Sequence, residues 1–529
     1  MPGGPVAAAG YTVGASGSKS KFAGIAMTAF SAFGGILFGY DTGLISGIKE
    51  MKAWLRQFGH ATSDPKFETG YAISSSSESL VVSILSAGTF FGALLGAPVA
   101  DILGRKWGII FSTLVFCVGI AMQTAATAMP LFVVGRVFAG LGVGLVSCLI
   151  PMYQSECSPK WIRGAVVASY QWAITIGLLI AAIVNNSTKN RDNKSAYQIP
   201  IALQFAWAAI LAGGMFFLPE SPRWLIKRGR DADAAAALSR LTGAPAGSPE
   251  VEGELEEIRL NYEEEMKLGE SSYADLFKFN KNKIAYRTLT GIFIQAWQQL
   301  TGINFIFYYG TTFFKNSGIS NAFVISIVTN VVNVVMTVPG MWGIERFGRR
   351  RLLLVGAIGM CVCEYIVAII GVTISTENLA GQKVLIAFVC FYIAFFASTW
   401  GPIAWVVCGE IFPLQLRAKG MSLSAASNWL WNFGIGYATP YLVNKEPGSA
   451  GLESKVFFIW GSTCLCCIIF TFFCIPETKG MSLEQIDLMY QETTPLGSLE
   501  YRRRLIAEGP GAVHGDFKHS QSDHIDEKV

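Results

Sequence analysis

Carboxamide side chains lie inside several long apolar stretches of this sequence. The clearest group is Gln298, Gln299 and Asn304, which interrupt an otherwise apolar segment. A carboxamide both donates and accepts hydrogen bonds, as an alcohol hydroxyl group does. Such groups would suit a neutral, polyhydroxylated ligand. The other candidates stand in separate apolar stretches, at Gln171, Asn333, Asn428 and Asn432.

Helical periodicity alone does not place these amides together. At about 100° per residue, the two adjacent glutamines point in different directions and Asn304 in a third. Gly302 would allow the helix to break between them, as helices do in many membrane-embedded sites. Trp405 and Phe395 could then cover the apolar face of a ligand ring. The alternative is that the amides only hold neighbouring helices together.

Two opposite charges also lie inside apolar stretches, at Asp41 and Arg136. Charges at that depth are costly and are expected to have partners. A carboxylate that alternately meets a cation and water can bind and release a proton, and a permanent structural ion pair is the alternative. All four histidines lie outside these stretches. Glu364 is the other embedded acid, and we expect it to face the cytoplasmic charge network or a polar interior rather than to carry a proton.

One short pattern occurs twice. Gly96, Asp101, Gly104, Arg105 and Lys106 recur with identical spacing as Gly340, Glu345, Gly348, Arg349 and Arg350. The acid–base pairs Glu156/Arg163 and Glu410/Arg417 also repeat, and so do the segments 219–223 and 476–479. The chain is therefore expected to consist of two related halves around a pseudo-symmetric site.

The repeated charges predict a gate at one end of that site. Ion pairs between the halves would hold the gate shut, and a few kcal/mol would suffice to shift a two-state equilibrium. The alternative is a set of permanent topology anchors that do not switch. The expected gate residues are Asp101, Arg105, Glu156, Arg163, Glu220, Arg223, Glu345, Arg349, Glu410, Arg417 and Glu477.

Composition indicates a membrane protein. Of 529 residues 52% are hydrophobic and only 15% are charged. Stretches of about 20 apolar residues match the thickness of a bilayer. We count twelve, at about 23–47, 77–100, 107–126, 130–150, 165–186, 201–218, 288–315, 320–343, 351–373, 384–408, 420–441 and 456–475.

Lysine and arginine concentrate in alternate connections, which the positive-inside rule places in the cytoplasm with both termini. Asn193 is the sequon best placed outside for glycosylation. The predicted parts are a cytoplasmic N-terminal tail (1–22), a six-helix bundle (23–220), cytoplasmic linker helices or a flexible linker (221–285), a second six-helix bundle (286–476) and a cytoplasmic C-terminal tail, disordered or partly helical (477–529).

The motifs together resemble a sugar porter of the major facilitator superfamily over nearly the full length, with most similarity to fungal hexose transporters. The matching segments are 39–43, 104–106, 135–136, 219–223, 298–304, 348–350, 401–405, 428–429 and 476–479. The resemblance implies an all-α fold of two pseudo-symmetric six-helix bundles, alternating access and a central hexose. By motif position, the sugar contacts would be Gln171, Gln298, Gln299, Asn304, Asn333, Trp405, Asn432 and, less firmly, Asn428.

The same resemblance bears on energetics. Proton-linked porters are similar at Asp41 and Arg136, whereas mammalian facilitators have Asn at the first position; fungal facilitators nevertheless keep the Asp. We therefore expect a sugar:proton symporter, with a facilitative uniporter or a sugar sensor on the same fold as alternatives. The length of the C-terminal tail favours transport over sensing.

The remaining expectations are a functional monomer in the plasma membrane, embedded in lipid, with a monosaccharide and a proton as ligands. We expect no cofactor, metal site or nucleic-acid partner. The sequence carries no catalytic set typical of an enzyme.

Overall fold

The computed structural model describes residues 24–63, 70–159, 161–266, 272–316, 322–375, 378–443 and 449–508. This part of the chain is almost entirely helical. Its only strands are β1 (His60–Ala61) and β2 (Tyr71–Ala72), an antiparallel pair in which His60 faces Ala72. The expected N-terminal tail, 1–22, lies outside the described residues.

The first half begins with helical residues 24–30 and a 3₁₀ turn, Ser31–Phe33. Its further helices are α1 (Gly34–Ile48), α2 (Lys52–Phe58), α3 (Ser75–Leu103), α4 (Arg105–Ala125), α5 (Met129–Cys157), α6 (Arg163–Thr188), α7 (Ser195–Ala202) and α8 (Gln204–Phe217).

The connection between the halves contains α9 (Pro222–Lys227), α10 (Asp231–Thr242) and α11 (Pro249–Met266). The second half contains α12 (Ile284–Leu300), α13 (Ile303–Asn316), α14 (Ala322–Phe347), α15 (Arg349–Thr373), α16 (Leu379–Ser398), α17 (Trp400–Ile411), α18 (Leu414–Val443) and α19 (Val456–Cys474). Two more helices follow, α20 (Leu483–Glu492) and α21 (Ser498–Glu508), so the described part of the tail is partly helical.

Within the described residues, nine helical segments are long and apolar enough to cross a membrane. The other three expected spans are helical, but each is either interrupted or contains several polar residues. The first is interrupted by the 3₁₀ turn, the seventh is divided into α12 and α13, and the eleventh, α18, carries several amides and serines. Together they account for the twelve predicted spans of a multi-pass membrane protein.

The halves meet along two pairs of long helices. α3 packs against α18, and α6 packs against α14, while α3 and α5 pack closely within the first half. Below, the end that bears α9–α11 is called the linker end. The end that bears β1 and β2 is called the hairpin end.

Two breaks interrupt helices near the middle of the second half. Gly302, with φ of +80°, separates α12 from α13 as the sequence predicts. That conformation favours glycine, which has no Cβ to clash. A second break at Thr399 separates α16 from α17, and the sequence analysis did not predict it.

Candidate functional site

A small cavity lies between the two halves at the level of the helix breaks. Its volume is about 40 Å³. One water needs roughly 10–15 Å³, so this space has no room for a sugar until the helices around it move. The lining residues are Phe38, Thr42, Gln171, Ile174, Leu178, Gln298, Gln299, Ile303, Asn304, Phe307, Phe396, Trp405 and Asn428.

Six of the eight expected ligand contacts line this cavity. Gln171 comes from the first half, and the other five come from the second half: Gln298, Gln299, Asn304, Trp405 and Asn428. The break at Gly302 lets Asn304 of α13 reach the same space as the two glutamines at the end of α12.

Gln298 is fixed by the second helix break. Its Nε2 donates to the carbonyl oxygens of Trp400 and Gly401, at 3.2 and 2.7 Å. Its Oε1 accepts a hydrogen bond of 2.7 Å from Asn428, which also donates to Gln295 at 2.7 Å. The amide is therefore held in one orientation before any ligand arrives.

Gln299 connects the cavity to a second layer of polar groups. Its Oε1 accepts hydrogen bonds from Asn304 and, at 3.2 Å, from Asn432. The Oδ1 atom of Asn432 accepts from Tyr308 at 2.8 Å and from Ser86 of the first half at 2.6 Å. Asn432 thus lies behind the cavity wall and orients Gln299.

Asn333 is the second expected contact, after Asn432, that does not line this cavity. It lies on α14, is fully buried, and neither its Nδ2 nor its Oδ1 has a hydrogen-bond partner among the described residues. Leaving such a group unpaired costs about 1–3 kcal/mol. Asn333 therefore has capacity for a ligand in a more open state.

The aromatic side of the cavity differs from the expectation. Trp405 lines it and packs edge-on against Tyr170, with ring centroids 5.6 Å apart. The prediction that Phe395 covers the ligand was wrong. Phe395 packs against Gly359 of α15, and its neighbour Phe396 lines the cavity instead. Adjacent residues on α16 point about 100° apart, and the rotation of this helix turns Phe396 rather than Phe395 toward the cavity.

Sequence reasoning also missed Gln295 and Tyr308. Gln295 is fully buried and accepts a hydrogen bond from Asn428. Tyr308 stands four residues after Asn304, on the same face of α13. That i, i+4 spacing was the available signal.

Asp41 and Arg136 form a buried pair beside the cavity. Arg136 Nη1 lies 3.7 Å from Asp41 Oδ2, and both side chains are at most 1% exposed. Among the described residues neither oxygen of Asp41 accepts a hydrogen bond. The charges therefore attract each other without the hydrogen bonds that usually stabilise a buried pair. Thr42, the next residue on α1, lines the cavity.

Several of the charges at the linker end pair within their own half, whereas the gate hypothesis expects pairs between the halves. Arg105 Nη2 lies 2.9 Å from Glu156 Oε1, and Arg349 Nη2 lies 2.6 Å from Glu410 Oε1. Both pairs are at most 3% exposed. The matching spacing in the sequence reflects equivalent ion pairs inside two repeats.

Two further acids cap helices in the same symmetrical way. Glu220 accepts hydrogen bonds from the backbone N–H groups of Arg105 and Lys106 at the start of α4, at 2.9 to 3.1 Å. Glu477 does the same for Arg349 and Arg350 at the start of α15, at 3.0 and 3.2 Å. A carboxylate at a helix N-terminus is favourable. Burial nevertheless raises the pKa of Glu220 above its ordinary value.

Gly104 and Gly348 make room for these two carboxylates. Their φ values are +88° and +93°, and a Cβ at either position would overlap the capping glutamate. Each glycine therefore ends one helix and leaves room for a glutamate from a distant part of the chain to cap the N-terminus of the next helix.

The linker helices contact the same charges. Lys227 pairs with Asp101 at 2.9 Å, and Arg223 donates to the Glu156 backbone carbonyl. Arg163 is buried and donates to the carbonyl of Ser158 at 3.5 Å.

Other contacts at this end cross between the halves. Glu156 Oε1 lies 3.9 Å from Arg417 Nη1, and Glu345 accepts a 3.1 Å hydrogen bond from the Ala165 backbone N–H. Ser422 donates to the carbonyl of Ala93 at 2.6 Å. The halves are thus closed against each other at the linker end.

The hairpin end is also closed. Lys49 is buried, pairs with Glu78, and its Nζ lies over the ring of Tyr309 from the second half. Asn193 is exposed in the turn between α6 and α7, where its Oδ1 accepts from the Ser195 N–H at 3.2 Å.

Comparison with known proteins identifies the class. Residues 27–490 match the model of the family "Sugar (and other) transporter". The chain is similar to "Major facilitator-type transporter ecdD" of Aspergillus rugulosus (51% identity, 93% of this chain and 92% of the relative). It is also similar to "Probable glucose transporter rco-3" of Neurospora crassa (48%, 87% and 78%) and to "High glucose sensor RGT2" of Saccharomyces cerevisiae (42%, 90% and 61%).

Among solved structures, the proton:xylose symporter XylE bound to 6-bromo-6-deoxy-D-glucose is similar at a TM-score of 0.77 and 26% identity, covering 90% of this chain and 100% of that one. The fold is therefore that of the major facilitator superfamily. The chain belongs to its sugar transporter family and is not an enzyme.

Proposed function

We propose that this protein carries a hexose, glucose first, across the membrane by alternating access, and that it does so as a sugar:proton symporter. The observation that carries the proposal is the convergence of amides from both halves on one enclosed cavity. Gln171 of α6 faces Gln298, Gln299 and Asn428 there. These groups donate and accept, so each can exchange an internal hydrogen bond for a sugar hydroxyl. The substrate choice is supported by the names of the glucose-related relatives.

Alternating access follows from contacts at both ends of the cavity. The hairpin end closes through Lys49 and Tyr309, and the linker end closes through Glu156 and Arg417. If either set separates while the other holds, the cavity opens to one side only. The pairs within each half, such as Arg105–Glu156, would keep the moving bodies rigid.

Proton coupling is supported by a polar route from the buried charges to the cavity. Arg136 interacts electrostatically with Tyr308, which donates to Asn432, which in turn donates to Gln299. Loss of the Asp41 charge would alter the field on this route and hence the sugar-binding amides. The structural relative XylE is itself described as a proton:xylose symporter.

The proposal includes an orientation. The linker end, rich in lysine and arginine, would face the cytoplasm together with both termini, and the hairpin end would face outward at the plasma membrane. Asn193 would then be an exposed external glycosylation site. The working unit is a monomer in the lipid bilayer, with 23–220 and 286–476 as the two bundles and 221–285 as the linker between them.

Two other functions use the same fold. A facilitative uniporter would bind sugar at the same amides and treat Asp41 as a structural partner of Arg136. A sugar sensor is the second candidate, because the relative RGT2 is named as one. A sensor would bind glucose without moving it.

Uptake of labelled glucose by a host without its own sugar transporters tests these functions together. We expect uptake against a concentration gradient, alkalinisation of the medium on sugar addition, and loss of accumulation with a protonophore. Uptake that stops at equal concentrations and ignores the protonophore would establish a uniporter. Surface-localised protein that binds glucose but transports none would establish a sensor.

A further inference from the structure

Glu364 is an acidic residue buried in the second half, away from the charge clusters described above. It lies on α15, which packs against α16 and α19, and its side chain has no exposed surface. Among the described residues neither of its carboxyl oxygens makes a hydrogen bond of ordinary geometry, although the Tyr392 and Cys464 side chains lie close enough to interact with it. Charged side chains at this depth normally have a hydrogen-bond partner.

The side chains that interact with Glu364 include no basic residue. The Tyr392 hydroxyl of α16 and the Cys464 thiol of α19 lie beside its carboxyl group, and Cys361 and Cys363 flank it on α15. No lysine, arginine or histidine is among these neighbours. If Glu364 were ionised, neither a cation nor a fixed hydrogen-bond donor would stabilise its negative charge.

Tyr392 already uses its proton elsewhere. Its hydroxyl donates a 2.7 Å hydrogen bond to the backbone carbonyl of Thr301. That carbonyl precedes the break at Gly302. Its usual helical donor, the N–H of Phe305, bonds to the Gly302 carbonyl instead.

Thr301 connects this break to the sugar site. It directly follows Gln298, Gln299 and Leu300, and its own hydroxyl donates to the Gln298 carbonyl at 2.7 Å. A group that fixes the Thr301 carbonyl therefore fixes the end of α12, where the two cavity glutamines stand.

We propose that Glu364 is a positioning residue for the sugar site, kept as a neutral carboxylic acid that donates its proton to the Tyr392 oxygen. Tyr392 in turn donates to the Thr301 carbonyl, so the two hydrogen bonds run in one direction from α15 to the helix break. The proposal rests on the proposed transport function and adds to it a residue outside the cavity. It also separates Glu364 from proton transport, because a proton that orients Tyr392 does not leave during the cycle.

Conservative substitutions distinguish positioning from proton transport. Glu364→Gln keeps an N–H donor for Tyr392, so its KM for glucose should stay within about twofold of wild type. Glu364→Leu and Tyr392→Phe each remove one hydrogen bond of the relay. They should raise KM about three- to tenfold and change kcat less. All the amides of the cavity remain in these variants, but they are held less firmly in their orientation. The double variant should be little worse than Tyr392→Phe alone, since both changes break one relay.

Tyr365→Phe is the matched control. Tyr365 follows Glu364 on α15, and its hydroxyl instead meets Ser462 at an exposed position, 2.9 Å away. Its loss should leave KM unchanged. Transport is normalised to the amount of protein at the cell surface. Tyr392→Phe removes only one oxygen atom, so it still tests the proposal if Glu364→Leu fails to fold.

An infrared readout tests the neutral acid without transport. The purified protein at neutral pH should show the carbonyl stretch of a buried protonated carboxylic acid, and Glu364→Gln should lose it. A missing band, a wild-type KM in both Glu364→Leu and Tyr392→Phe, or a Glu364→Gln variant as impaired as Glu364→Leu would overturn the proposal. A wild type that moves no glucose but shows the band would refute the transport function alone.

Discussion

The Nζ atom of Lys49 lies 4.4 Å from the centroid of the Tyr309 ring, so a buried cation of the first half rests on an aromatic residue of the second. Glu78 pairs with the same lysine from its own half. A desolvated cation–π contact contributes up to about 2 kcal/mol. This contact is therefore large enough to bias whether the hairpin end is open or closed.

Replacing Lys49 by Met should favour opening at the hairpin end. The change removes the cation from Tyr309 and leaves Glu78 without its partner. A cysteine introduced at Phe307, on the cavity wall, should react faster with an impermeant thiol reagent added from the hairpin side. Lys49→Arg keeps the charge and should react like wild type. Equal labelling rates in Lys49→Met and wild type would show that this contact does not close the cavity.

Gln298→Ala should weaken glucose binding about 5- to 150-fold, corresponding to roughly 1–3 kcal/mol. The amide is lost from the sugar site, and Asn428 and the carbonyl oxygens of Trp400 and Gly401 lose their partner. Concentration-dependent uptake gives the KM. Gln123→Ala, which removes an equally buried glutamine that does not line the cavity, is the control. Normal uptake by Gln298→Ala, or a wild type that moves only a disaccharide or a polyol, would exclude the assignment.

Charge reversal at the linker end should favour states open on that side, because Arg349, which Glu410 holds in place, lies against Gly164 of the first half. In Glu410→Arg, the buried Arg349 would face a second guanidinium group, and Thr478 would lose its 2.6 Å hydrogen bond to Glu410. In Arg163→Glu, a buried cation of the first half becomes an acid. Transport should fall in both variants while sugar binding survives, because the cavity amides are untouched.

Cysteine labelling from the linker side checks the gate. The rate should rise in Glu410→Arg and partly recover in the charge swap that adds Arg349→Glu. Glu256→Arg reverses an exposed charge on α11 and serves as the control. A labelling rate unaffected by Glu410→Arg would mean that these ion pairs anchor the fold without gating it.

Asp41→Asn should abolish sugar accumulation and leave downhill exchange intact. The amide keeps the shape of the side chain but cannot ionise beside Arg136. One charge moved across 100 mV is worth about 2.3 kcal/mol, which is nearly fiftyfold in concentration gradient. The steady-state ratio of internal to external sugar is the measurement. Asp233→Asn, at an exposed position on α10, should accumulate sugar like wild type. Accumulation by Asp41→Asn would assign Asp41 a structural role.

The sequence was sufficient for the spans because each is a long apolar run, and for the break at Gly302 because only glycine readily adopts its backbone angles. It could not decide which acid meets Arg105. Two repeats with equal spacing are compatible with pairs inside each half and with pairs between them. The structure resolves this through Glu156, which comes from the same half.

Other site features depend on packing between distant helices. The break at Thr399 has no glycine at its centre, and the choice between Phe395 and Phe396 requires the rotation of α16. From the sequence alone, Lys49 is expected to be a solvent-exposed loop residue. In the structure it is buried between Glu78 and Tyr309. In each case the partners are separated along the chain, so local patterns carry no information about them.

The two capping glutamates have a consequence for how the chain could be assembled. Glu220 and Glu477 each stand after the last span of their half, and each binds the start of that half's third span. Each half is therefore closed on itself by its own residues, without help from the covalent connection to the other. We expect two separate polypeptides, divided in the loop between α10 and α11, to find each other in the membrane and restore transport.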